Sequence, residues 1–216
     1  TGIVTRHFAD ENESLIDMTV KACEIAIKRA GLKPSDIDAV IFATISYPYQ
    51  APSAATELIA RLDTPHAAAF DISAACAGFC YGVGLANDLV RNKTANYVLV
   101  IGAEKLSDFT DPYDRATAFI FADGAGAVVI GPSEDVGIGP TIWGSTAETR
   151  DAILLEPSYL EYKKNPGKLD LGWPNIAQQG QTVFRWAVYE LAPIAKKDRK
   201  STRLNSSHIP LSRMPS

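Results

Sequence analysis

Two runs, 37–44 (Ile-Asp-Ala-Val-Ile-Phe-Ala-Thr) and 97–103 (Tyr-Val-Leu-Val-Ile-Gly-Ala), are apolar along nearly their whole length. A strand with one wet face alternates polar and apolar residues. An unbroken apolar strand belongs to a sheet covered on both faces. Helical patterns surround the two runs. One starts at Asn12 or Ser14 and reaches about Ala30, with Leu15, Met18, Ala22, Ile25, Ala26 and Arg29 along one side and Gly31 as its stop. Ser53 caps a short helix through Leu62. A third, Ala77 to Val90, carries almost no charge and reads as apolar on every side, so it is expected to be buried. Ala67 to Phe70 form another strand, and Thr1 to Phe8 an edge strand. Strands alternating with helices imply βαβ units and a mainly parallel sheet. Such sheets place their sites beyond the carboxyl ends of the strands.

The stretch 119–131 reads as two strands joined at a glycine turn. Gly124 and Gly126 invite a dinucleotide-fingerprint reading, but a strand follows where that motif needs a helix. Ile138 to Thr146 suggest one more strand. Arg150 to Trp173 read as irregular, and Ile176 to Ala195 as a helix whose faces are marked by Val183, Trp186, Ala187, Glu190 and Leu191. From Lys196 the chain changes character. Lys196, Lys197, Arg199, Lys200, Arg203 and Arg213 stand against the single Asp198, and no apolar period remains. A basic tail of this kind is expected to be disordered and resembles read-through of adapter DNA, so it is set aside from the fold.

The strand ending at Phe70 runs into Asp-Ile-Ser-Ala-Ala-Cys-Ala-Gly-Phe-Cys-Tyr-Gly (71–82). Cys76 is therefore expected at a strand-to-helix corner. Free amide groups and the helix dipole there favour a thiolate. A dipole worth about 0.3–1 kcal/mol moves a thiol pKa by less than one unit, so a nucleophile here also needs a reactive partner. The same pattern suits a small buried cysteine equally well.

Composition excludes several classes. A length of 216 residues with 46% hydrophobic and 21% charged residues is globular. A net charge of −4 argues against a nucleic-acid footprint. The apolar run Ala67 to Ala86 is long enough to span a membrane, but Asp71 would lie inside it and Gly78, Gly82 and Gly84 interrupt it. Cys23, Cys76 and Cys80 are odd in number and unpaired in spacing, which suggests reduced thiols and a cytoplasmic protein. No histidine lies near them, so no metal is expected.

Three motifs occur in order: Asp-Ile-Ser-Ala-Ala-Cys-Ala-Gly-Phe (71–79), Asp-Pro-Tyr-Asp-Arg (111–115) and Phe-Ala-Asp-Gly-Ala-Gly-Ala-Val-Val (121–129). Together with Thr-Gly-Ile at the start and Gln-Gly-Gln-Thr-Val-Phe-Arg-Trp (179–186), they resemble β-ketoacyl-acyl-carrier-protein synthase III, the initiating condensing enzyme of type II fatty-acid synthesis. The resemblance covers residues 1–195. It implies an α/β, thiolase-like fold with an N-terminal βαβαβαββ half (1–137), the beginning of a second half (138–195) and a non-native tail (196–216). It further implies a homodimer and a chain truncated at both ends. Cys76 would be the acyl-accepting nucleophile, with its own backbone N–H in the oxyanion hole. Arg115 matches an arginine on the coenzyme A and phosphopantetheine side, and Phe184 an aromatic of the coenzyme A channel. Leu106 matches a wall of the acyl pocket. Ala51 matches a loop position reaching the neighbouring subunit's acyl pocket, where a small residue leaves room for primers longer than acetyl.

The implied partners are acyl-CoA and malonyl-acyl-carrier protein, with no nucleic acid, no membrane and no cofactor beyond the coenzyme A thioester as substrate. The family's catalytic histidine, in a His-Gln-Ala-Asn context, and its later asparagine have no counterpart. His7, His66 and His208 do not match them. Losing one oxyanion donor costs about 10²–10³ in rate, so loss of both is expected to abolish condensation. Two other readings remain: a thiolase-fold acyltransferase making starter units for polyketides or alkylquinolones, and a non-catalytic partner subunit or degenerate paralogue.

Overall fold

The structure is a computed structural model that describes residues 2–64, 66–135, 137–165 and 172–196. The basic tail lies outside these residues from 197 onward.

Helix α1 (Leu15–Arg29) starts at a capping box: the Ser14 hydroxyl accepts from Asp17 N, and Ser14 N donates to the Asp17 carboxylate. Strand β1 (Ala39–Ala43), helix α2 (Ala54–Arg61), strand β2 (Ala68–Ile72), helix α3 (Gly78–Arg91) and strand β3 (Val98–Lys105) follow. Strand β4 (Asp123–Ile130) completes a four-stranded sheet in the order β2-β1-β3-β4. The first three strands are parallel, and β4 runs antiparallel to β3.

The apolar runs sit at the centre of this sheet. Val40, Ile41 and Phe42 of β1 and Val98 to Ile101 of β3 are wholly buried. Alternate residues serve opposite faces. Val40, Phe42, Leu99 and Ile101 pack with Leu15, Ile16, Cys23 and Ile27 of α1 and Leu58 of α2. Ile41, Val98 and Val100 pack with Ala86 of α3. Each such side chain contributes about 1.5–3 kcal/mol on burial.

Several expectations need correction. Residues 2–8 form no strand. Their link to the sheet is the bond from Asp123 N to His7 O, supported by Arg6 donating to the Phe121 carbonyl. The face α1 turns inward is Leu15, Ile16, Thr19, Cys23 and Ile27, and Ile25 is 52% exposed. The helix is apolar on more than one stripe, so spacing alone admitted two solutions. The stretch 119–131 is not two strands around a glycine turn, because Gly124 and Gly126 lie within the single strand β4. Residues 138–146 form no strand. The supposed loop 150–173 contains strand β5 (Ile153–Glu156) and helix α4 (Tyr159–Lys164). Strand β6 (Asn175–Gln178) pairs antiparallel with β5 and delays the last helix to α5 (Gly180–Trp186), which runs on through a widened turn to Lys196.

Candidate active site

β2 ends at Ile72, a tight turn spans Ala75–Ala77, and α3 begins at Gly78. Cys76 lies in that turn, as expected from the sequence. Ala75, just before it, has φ +44°, a left-handed conformation that costs a residue with a Cβ on the order of 1–3 kcal/mol. The turn's bonds run from Ala77 N to Ala74 O and from Gly78 N to Ala75 O. They leave the N–H of Cys76 without an acceptor among the described residues.

Cys76 and Cys80 are exposed, and the buried cysteine is Cys23. Burial pushes the Cys23 thiol up to about 12. The buried-cysteine reading therefore belongs to Cys23 and not to Cys76. The expectation that α3 is covered on every side also fails. Its buried residues are Gly78, Gly82, Gly84 and Ala86, while Phe79 and Leu85 are each 37% exposed. The glycines explain the seating. A Cβ on Gly78 would meet the Ala43 Cβ at 2.8 Å, so the helix rests directly on β1. The segment 141–144 crosses the helix at Gly84, and Tyr81 donates to the Gly144 carbonyl at 2.9 Å.

The carboxyl ends of β1, β2 and β3 form one rim. Ala51 lies on the exposed loop after β1, Cys76 on the turn after β2, and Leu106, half-buried, on the turn Leu106–Phe109 after β3. Asp123 stands beside Lys105 because β4 runs back along β3. Its carboxylate accepts from Ser107 N (2.8 Å), Ser107 Oγ (2.7 Å) and Ala9 N (2.9 Å), which fixes the turn carrying Leu106.

Arg115 lies on the following loop. Asp111 accepts from Tyr113 N, and Asp114 accepts from Ala116 N and the Thr117 hydroxyl, so side chains shape the backbone that presents the arginine. The hydrogen bond from Thr117 above all holds the Asp114 carboxyl below its usual range. Arg115 itself is exposed and makes no ion pair among the described residues. Phe184 is 71% exposed on α5.

Two residues of this rim had no assigned role in the sequence. Asp71, the first residue of the cysteine motif, accepts from Ala54 N (2.7 Å) and Ala55 N (2.9 Å) at the head of α2. Glu104 accepts from Ile45 N and from the hydroxyls of Thr44 and Ser46. Burial pushes its carboxyl up, against those hydrogen bonds. The signal for Glu104 was an acid directly behind an apolar strand. Tyr47 donates to Glu57 at 2.7 Å, and burial, with that bond, raises its hydroxyl to about 12. A cleft of about 360 Å³ opens beside Tyr47, Tyr49, Glu57 and Lys105, and Cys76 is not among its lining residues. No group of three or more His, Cys, Asp or Glu among the described residues is placed to hold a metal.

Residues 70–147 match the family described as 3-oxoacyl-[acyl-carrier-protein (ACP)] synthase III. A relative from Streptomyces glaucescens named β-ketoacyl-[acyl-carrier-protein] synthase III is 48% identical over 197 residues, which make up 91% of this chain and 58% of that protein. The chain is homologous to β-ketoacyl-acyl-carrier-protein synthase III. The architecture agrees. The priming β-ketosynthase from the R1128 polyketide biosynthetic pathway superposes with a TM-score of 0.87 at 36% identity, covering 91% of this chain and 58% of the other. A crystal structure of a 3-oxoacyl-(acyl-carrier-protein) synthase III superposes with a TM-score of 0.80 at 26% identity, covering 91% and 62%. The fold is thus the thiolase-like α/β fold of the synthase III enzymes. The chain spans 58% of the length of its Streptomyces glaucescens relative.

Proposed function

We propose that these residues carry the acyl-accepting part of a β-ketoacyl-acyl-carrier-protein synthase III, an acyltransferase of type II fatty-acid synthesis. The observation that carries the reading is the exposed Cys76, held in a strained turn at the rim of the sheet, in a chain homologous to these synthases. In this reading the Cys76 sulfur attacks the carbonyl carbon of an acyl-CoA thioester. A carbon–sulfur bond forms to Cys76, the bond to coenzyme A breaks, and the cysteine proton ends on the departing thiol. Negative charge gathers on the carbonyl oxygen meanwhile. The unaccepted N–H of Cys76 supports a role as its donor.

Leu106 would border the acyl chain, Ala51 would reach the acyl pocket of the neighbouring subunit, and Arg115 and Phe184 would border the coenzyme A side. Malonyl-acyl-carrier protein would be the second substrate of the whole enzyme, acting as a cytoplasmic homodimer. No described helix is long and apolar enough to cross a membrane. Decarboxylation and carbon–carbon bond formation develop an enolate. The acyl-transfer step is the one we assign to these residues.

The test is incubation of the chain with acetyl-CoA and longer acyl-CoA esters, followed by peptide mass mapping. An acyl adduct is expected on the peptide containing Cys76 and absent from Cys76→Ala. An adduct that persists in the variant refutes the nucleophile.

A further inference from the structure

The loop between β1 and α2, residues 44–53, leaves the sheet from its middle, because the strand order β2-β1-β3 puts β1 between its two neighbours. On one side is the turn of Cys76, which follows β2. On the other is Glu104, near the end of β3. Each neighbour supplies a carboxylate that holds one end of the loop.

At the near end Glu104 takes three successive residues. Its Oε2 accepts from Ser46 Oγ at 2.5 Å and from Thr44 Oγ1 at 3.1 Å, and its Oε1 accepts from Ile45 N at 3.0 Å. Ser46 Oγ in turn accepts from Lys105 N at 2.9 Å, so this bond ties the loop to the β3 backbone as well. Thr44 and Ser46 are buried. At the far end Asp71 takes Ala54 N and Ala55 N, just past Ser53, and Asp71 stands five positions before Cys76. Between these anchors Gln50, Ala51 and Pro52 are exposed. The loop is a strap fixed at both ends with a free crest.

We propose that Glu104 and Asp71 are positioning residues that hold this strap, and that the placement of its crest at Ala51 sets which acyl chains reach the cysteine of the neighbouring subunit. The proposal rests on the roles assigned above to Cys76 and Ala51. Removing the Glu104 carboxylate leaves an amide and two hydroxyls at the buried end of the strap without their acceptor, and the backbone must re-form around other partners. A shift at the anchor moves the crest. A change in fit by one methylene is worth roughly 10–200-fold in discrimination.

The experiment compares Cys76 acylation by acetyl-CoA and by a branched five-carbon acyl-CoA in the full chain and in Glu104→Ala, Glu104→Gln and Ser46→Ala. The rate of Cys76 alkylation by iodoacetamide is measured alongside. Glu104→Ala is expected to change the ratio of the two acylation rates by about tenfold, the scale of one methylene's fit, and to leave alkylation unchanged. Glu104→Gln, which keeps a carbonyl for Ile45 N, should restore the ratio. A general loss of structure would lower both acylation rates together and leave the ratio alone. If Glu104→Ala does not fold, Ser46→Ala carries the test, and its ratio must shift in the same direction. An unchanged ratio in a folded variant refutes the strap and leaves Cys76 standing. A native chain that no acyl-CoA acylates refutes the assignment of Cys76 and takes the proposal with it.

Discussion

Gly82 and Val100 are separated by less than the width of a methyl group: a Cβ on Gly82 would lie 2.8 Å from Val100 Cγ1 and 3.5 Å from Ile41 Cγ2. α3 therefore reaches the sheet through bare backbone. Its distance from the strands is set by the main chain itself, and the cysteine turn at its head inherits that setting.

Gly82→Ala tests this contact. Helix propensity alone would favour alanine by about 1 kcal/mol. The clash is with a stiff, wholly buried β-branched side chain and should outweigh it, at about 1–3 kcal/mol. Thermal unfolding should show a net loss of stability. Gly126→Ala, with nothing within 4 Å of the new Cβ, is the control and should stay within about 0.5 kcal/mol. Equal melting temperatures for the two variants would contradict the close seating of α3.

The three thiols should separate by reagent access. Iodoacetamide added to the native chain is expected to modify Cys76 and Cys80, both exposed, and to spare Cys23, which is buried and held protonated far above neutral pH. Denaturation should release Cys23. Native labelling of Cys23, read by peptide mass, would mean that α1 does not lie on the sheet as described.

Glu104 gives a pH signature. Burial raises its folded pKa above the unfolded value of about 4.3. Its stabilising contribution is then fully present below that value and is lost as pH rises through the folded pKa. Glu104→Gln has no such loss. The stability of the variant relative to the native chain should improve between pH 4 and pH 7, as read from urea midpoints. A difference independent of pH would show that the carboxyl is not perturbed.

Asp17 gives the opposite sign. The hydrogen bond from Arg61, at 2.8 Å, chiefly holds its carboxyl well below the usual range, with help from Ser14. Its contribution is present above the unfolded value of about 3.9 and lost as pH falls. Asp17→Asn should therefore destabilise the chain at pH 7, and the difference should shrink only gradually as pH falls below about 3.9. The site is exposed, so added salt should shrink the effect.

Strand identity was legible where burial was two-sided. Val40 to Phe42 and Val98 to Ile101 admit no other placement. Helix starts were legible from Ser14 and Ser53, whose hydroxyls accept the bonds the pattern implied. The corner at Cys76 was legible from a strand running into a helix through small residues. What escaped was set by tertiary contact. Phe79 and Leu85 look like core residues in any window, and only the packing shows that each is 37% exposed. Gly124 and Gly126 suggest a turn until the ladder with β3 is seen. The partners of Glu104 lie 58 to 60 positions away, a distance no local period reports.

The reversal of β4 brings the beginning of one strand beside the ends of the others. Asp71, Glu104 and Asp123 thereby gather on the same rim as Cys76, yet each already accepts from main-chain amides. These acids act as rivets that fix the backbone around the nucleophile's turn.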